Sequence, residues 1–80
     1  METIKTATGK TFKVASVSTI PRPPILYIRV VGASMGEVAS VFSDPNETNV
    51  IEYAGQQLVG YNTLAAIVNE GQFLRVNLRR

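Results

Sequence analysis

Gly32-Ala33-Ser34-Met35-Gly36 matches G-x-S-x-G, the sharp turn that presents a serine nucleophile between a strand and a helix. The chain around it reads as strand, then turn, then helix, so the context fits as well as the letters. Such a serine needs a general base, the usual base is histidine, and this chain has no histidine. Eighty residues are also too few for the wide parallel sheet that carries this elbow. The same letters describe a helix start, with Ser34 capping the first amides and Glu37 three residues later reaching back to close a capping box. That reading leaves no partner missing, and no enzyme is expected.

Other groups of the right type fail on spacing. Thr8-Gly9-Lys10-Thr11 ends like a phosphate-binding loop, but the glycine required five residues before Gly9 is Ile4, so a hairpin turn is expected. Asp44, Glu47 and Glu52 are close in sequence without the ligand spacing of a calcium loop, and read as a solvated loop. Nothing nominates a second acid to work with Glu70 in glycosidase fashion. The absence of cysteine and histidine removes disulfides, zinc sites, thiol catalysis and imidazole chemistry. No cofactor or metal is expected.

The charges carry more information. Residues 1–29 hold Lys5, Lys10, Lys13, Arg22 and Arg29 against Glu2, a net of +4. Residues 30–74 hold Glu37, Asp44, Glu47, Glu52 and Glu70 with no basic residue, a net of −5, and Arg75, Arg79 and Arg80 follow. If the basic terminal strands lie together with the helix and middle hairpin opposite, the domain has a positive and a negative face, and copies can associate head to tail. The alternative is that the opposite charges meet as surface pairs within one molecule, each worth little. On the last strand Phe73, Arg75, Asn77 and Arg79 share the face away from the core, and Tyr27 and Arg29 share a face of the central strand. Aromatic and basic groups on a sheet can stack and neutralise a nucleic-acid strand, although eight basic residues against six acidic make a weak footprint. The Arg22-Pro23-Pro24 segment is a second candidate contact, because a stiff loop loses little entropy on docking.

The elements that position these residues follow from periodicity. An extended segment around Ile4 turns at Gly9 into the alternating run Thr11–Val17. Three of the four prolines fall within Ile20–Pro24, which predicts a stiff extended loop. Ile25–Val31 is the strongest strand, with Leu26, Ile28 and Val30 on one face. A helix over about 35–43 follows, its stripe formed by Met35, Val38, Ala39 and Phe42, and Asp44-Pro45-Asn46 stops it. Thr48–Tyr53 and Gln57–Tyr61 flank a turn at Ala54-Gly55-Gln56. Thr63–Val68 suits a helical turn or a strand, the strand being preferred, and Gln72–Arg79 is a final strand with Leu74, Val76 and Leu78 inward. The sum is one α+β domain over 1–80, with six or seven short, mostly antiparallel strands in a curved sheet or small open barrel and one short helix. At 8.7 kDa it should bury only about 60% of its extended-chain surface. The N-terminus lacks the pattern of a secretory signal, and no apolar run nears the ~18 residues of a membrane span, so no membrane association is expected.

Val38–Thr48, Ile51-Glu52-Tyr53, Gly60–Leu64 and the closing Leu74–Leu78 together resemble a group of short uncharacterised proteins encoded by phages and prophages of Gram-positive bacteria, often near virion genes. The resemblance covers about residues 35–79. It implies a phage-related role, synthesis in the bacterial host cytoplasm and the virion as a destination, and carries no catalytic residues. The expected function is therefore non-enzymatic protein–protein contact, with itself as a homo-oligomer or with another protein, as a small virion component or assembly accessory. The alternative is a nucleic-acid-binding or host-directed inhibitory module using the basic strands. The candidate contact residues are Arg22, Pro23, Pro24, Arg29, Phe73, Arg75 and Arg79.

Overall fold

The computed structural model describes residues 2–80. Seven strands and two short helices follow in the order β1 (Glu2–Lys5), β2 (Thr11–Pro21), β3 (Pro24–Val31), α1 (Met35–Phe42), α2 (Pro45–Thr48), β4 (Val50–Tyr53), β5 (Gln56–Val59), β6 (Thr63–Asn69) and β7 (Leu74–Arg79). All the strands join one antiparallel sheet, ordered β5-β4-β1-β2-β3-β7-β6. The expected α+β class holds, and Thr63–Val68 is a strand. The outermost strands β5 and β6 are joined by only Gly60, Tyr61 and Asn62. Four Cα steps reach at most roughly 15 Å, so the sheet must curl until its two ends approach. It remains open, since β5 and β6 do not pair.

The inside of the curl is the core. Ile4, Phe12, Val14, Leu26, Ile28, Val30, Ile51, Val76 and Leu78 from the sheet meet Val38, Val41 and Phe42 from α1. The Phe12 and Phe42 rings lie 5.3 Å apart, and Phe42 has no exposed surface. The total accessible surface of 4593 Å² is near the roughly 4,700 Å² expected of a folded chain of this mass.

Several expectations are corrected here. Met35 does not belong to the buried stripe: it is 43% exposed at the first turn of α1, and Val41 takes its place in the core. Asp44-Pro45 ends α1 and also starts a second helix, with the Asp44 carboxylate capping the Asn46 amide at 3.0 Å and Pro45 supplying a first position that needs no donor. The proline-rich segment is no separate loop. β2 runs through to Pro21, which faces Pro24, and Arg22 and Pro23, joined by a cis peptide bond, are the tip of a hairpin. The prolines are tolerated because the ladder ends at that pair. The Tyr53–Gln56 turn places Ala54 at φ 51° and Gly55 at φ 77°, the left-handed pair that a tight hairpin favours.

Glu47 departs furthest from its expected role as a loop carboxylate. It is 3% exposed, and it accepts hydrogen bonds at Oε1 from the Thr6 and Thr8 hydroxyls at 2.8 and 2.5 Å, while Lys10 Nζ lies 2.6 Å from Oε2. The Ala7 amide donates to the Glu47 carbonyl at 2.9 Å, so side chain and backbone together fasten the β1–β2 turn to α2. The bonds from Lys10 and the threonines hold the Glu47 carboxyl down at about 2, and the same contact raises the Lys10 ammonium.

Two predictions follow from these contacts. Because the Glu47 pKa falls on folding from 4.5 to about 2, its stabilisation is complete above pH 4.5 and is lost as pH drops through about 2. Urea midpoints should therefore decline across that interval, and Glu47→Gln should start lower at neutral pH and decline less. Replacing Ala54, at φ 51°, with asparagine should relieve left-handed strain and raise stability by about 0.5–1 kcal/mol in the same urea titration.

Candidate functional site

The outward faces of β2, β3, β7 and β6 form a grid set by strand register. Directly opposed residues share a face, giving the rows Ser16–Arg29–Arg75–Val68, Ser18–Tyr27–Asn77–Ala66 and Ile20–Ile25–Arg79–Thr63. The β-bulge between Val14 and Ser16 sets this arrangement. It skips Ala15, so Val14 and Val17 both turn to the core while Ser16 and Ser18 face outward. Tyr27 thus stands on the outer face, partly buried, while Leu26 and Ile28 beside it are fully buried.

Arg29 and Arg75 are neighbours across the β3–β7 pair, where two cations would repel. Glu70 lies across both. Its Oε1 is 3.1 Å from Arg29 Nε and its Oε2 is 3.1 Å from Arg75 Nη1. The turn that holds Glu70 in place is closed by its own amide donating to the Phe73 carbonyl at 2.9 Å and by the Gly71 amide donating to Asn69 Oδ1 at 2.9 Å. Arg29 also donates from Nη1 to Ser16 Oγ at 3.3 Å. The partners of Glu70 are thus two arginines. A hairpin turn followed five residues later by Arg75 was a usable sequence signal; the Arg29 contact, 41 residues away, was not.

A depression of about 350 Å³ lies beside this ion cluster, lined by Ser18, Tyr27, Arg29, Arg75 and Asn77. Beneath its lining, Arg75 Nε and Asn77 Oδ1 are buried without hydrogen-bond partners. Across Arg29 a second depression of about 500 Å³ is lined by Ala15, Ser16, Arg29, Glu70 and Phe73. The structure therefore brings Arg29, Phe73, Arg75 and Arg79 to one face, as the alternation implied. Arg22, Pro23 and Pro24 lie at the far end of this half of the sheet. There the Arg80 amide donates to the Pro24 carbonyl at 3.3 Å, and Ile25 faces Arg79.

The charge division differs from a simple separation of terminal strands from middle ones. The outer sheet face carries Lys5, Lys13, Arg29, Arg75 and Arg79 against Glu52 and Glu70, whereas the helical segment 35–48 carries Glu37, Asp44 and Glu47 with no basic residue. The middle hairpin β4–β5 is not opposite the basic strands. It pairs with β1, which sets Glu52 against Lys5. Lys10–Glu47 and the Glu70 cluster are pairs within one molecule, so part of the segregation seen along the chain is cancelled in space.

Ser34 sits at φ −80°, ψ 156°, unstrained extended backbone, and its Oγ accepts the Glu37 amide at 3.1 Å as a helix cap. Among the described residues no group of three or more acids, cysteines or histidines is placed to hold a metal ion, and no helix is long and apolar enough to cross a membrane. Comparison with family models, curated proteins and solved structures finds no match. For Ser34→Ala the expected loss is about 0.5–2 kcal/mol of unfolding free energy, the cost of an N-cap, measurable by urea denaturation.

Proposed function

We propose that this chain is a non-enzymatic, phage-related protein that works by protein–protein contact, as a small virion component or assembly accessory, and that its partner is a further copy of itself. The observation that carries this reading is the state of the two sheet edges. β5 and β6 each have one side without a strand partner, and neither Gln56–Val59 nor Thr63–Asn69 contains a charged residue or a proline. Charged residues and prolines are common guards of such edges, since free N–H and C=O groups template strand addition. The guards here are partial: Arg80 reaches the Val59 carbonyl on β5, and a bulge between Leu64 and Ala66 interrupts β6. Val59 and Val68 are exposed on them at 48% and 36%.

A second copy suits both edges at once. Each molecule has one β5 edge and one β6 edge, so joining β6 of one copy to β5 of the next uses both and makes a heterologous contact that closes into a ring when the rotation allows. Charge does not oppose that joint. Neither Gln56–Val59 nor Thr63–Asn69 carries a charge, so the joint sets no like charges opposite each other. The resemblance to phage-encoded proteins found near virion genes supports the same reading. Light scattering over a concentration series should show discrete masses above 8.7 kDa that persist in high salt. Val59→Lys and Val68→Lys should each return the protein to monomer. A monomer at every concentration, or an oligomer indifferent to both variants, overturns the reading.

A further inference from the structure

The geometry points to a binding site for single-stranded nucleic acid on the outer face of β2, β3, β7 and β6, centred on Tyr27 and Asn77; we propose this as an activity beyond self-assembly. Three features meet there. Tyr27 offers an aromatic ring between Ser18 and Asn77 in its row, with a depression of about 350 Å³ beside it. The size falls within the roughly 300–1,000 Å³ of small-ligand sites. Arg75 and Asn77 line this depression, and beneath its surface, closed to solvent as the side chains stand, the Arg75 Nε and Asn77 Oδ1 are a donor and an acceptor without partners. Buried polar groups ordinarily have partners, so a side-chain rotation that turns this pair outward onto a ligand edge carrying both a donor and an acceptor satisfies both. A nucleobase has such an edge, and a flat face to stack on tyrosine.

The cations are spaced for the backbone. Arg75 and Arg79 lie on either side of Asn77 on β7, roughly 13 Å apart at the rise of an extended strand, so a nucleic-acid strand laid along β7 meets a guanidinium before and after the base held at Tyr27. Arg29 adds a third beside Arg75. An acidic peptide would satisfy the arginines and leave the ring and the carboxamide unused, which is why a nucleic acid is preferred. Glu70 belongs to the same design. Its carboxylate already bridges Arg29 and Arg75, so it competes with phosphate and keeps the site weak.

The test is fluorescence anisotropy with a labelled ten-nucleotide oligothymidylate, at a protein concentration where scattering gives a monomer, so that failure of self-assembly and failure of this site are read separately. Three phosphate contacts at a single-strand slope of about −0.7 each predict a loss of affinity of about 20-fold between 50 and 200 mM salt. Tyr27→Leu, which keeps the apolar body and removes the ring, should weaken binding about 10- to 100-fold, and Tyr27→Phe should retain it. Arg79→Gln should flatten the salt slope by one contact, and Glu70→Gln should tighten binding. Should Tyr27→Leu fail to fold by circular dichroism, the slope of Arg79→Gln and the tightening in Glu70→Gln decide. No binding at 50 mM salt, affinity indifferent to the ring, or equal affinity for polyglutamate of the same length overturns the proposal.

Discussion

Three residues, Gly60 to Asn62, join the two outermost strands of a seven-stranded sheet, and much of the structure depends on that short reach. A flat sheet of this width would hold its first and last strands several strand spacings apart, further than the link can span. Curling is therefore obligatory, and it creates the concave side into which α1 fits with Val38, Val41 and Phe42. The link is itself anchored. Tyr61 is 6% exposed, the Arg80 guanidinium stacks over its ring at 4.7 Å, and Arg80 Nε donates to the Val59 carbonyl at 3.2 Å. The Gly60 amide donates to the Asn49 carbonyl at 3.0 Å, fastening the same corner to the end of α2.

The two carboxylates that matter most solve opposite problems. Glu47 is buried and must be satisfied from all sides, which two hydroxyls and an ammonium accomplish while they tie the first turn to the second helix. Glu70 is partly exposed and relieves repulsion between two guanidiniums that strand pairing forces together. Basic residue types divide in parallel. Lys5, Lys10 and Lys13 lie on β1, the first turn and the start of β2, whereas all the arginines lie on β3, β7, the chain end and the hairpin tip. The guanidinium's several donors in a fixed plane suit the latter region, where Glu70, Ser16, a backbone carbonyl and an aromatic ring are engaged at once.

The sheet's faces were legible because alternation is a local property. Leu26, Ile28 and Val30 had to share a side, and so did Arg75, Asn77 and Arg79, whatever strands lay beside them. Ser34 was legible for the same reason, since a cap and the amide it accepts are three residues apart. What the sequence concealed was pairing over distance. Glu47 sits 41 residues from Thr6, and nothing near it marks it as buried. Met35 was misplaced because a helical stripe identifies a face and not the residue at which the helix leaves the core. The proline cluster misled in another way: proline bars the middle of a sheet, but the last pair of a hairpin asks for no further ladder bond.

Strand order also governs how this chain finds its fold. β1, β2 and β3 form a meander from neighbouring segments, but β4 reaches β1 through the Ile4–Tyr53 pair and β7 reaches β3 through Leu26–Leu78, each closing a loop of about 50 residues. Those two searches are not independent. Once β4 and β5 dock on one side of the meander, the short link confines β6 and β7 to its neighbourhood, and the second closure starts from a high effective concentration. The second long-range closure therefore costs less chain entropy than the first.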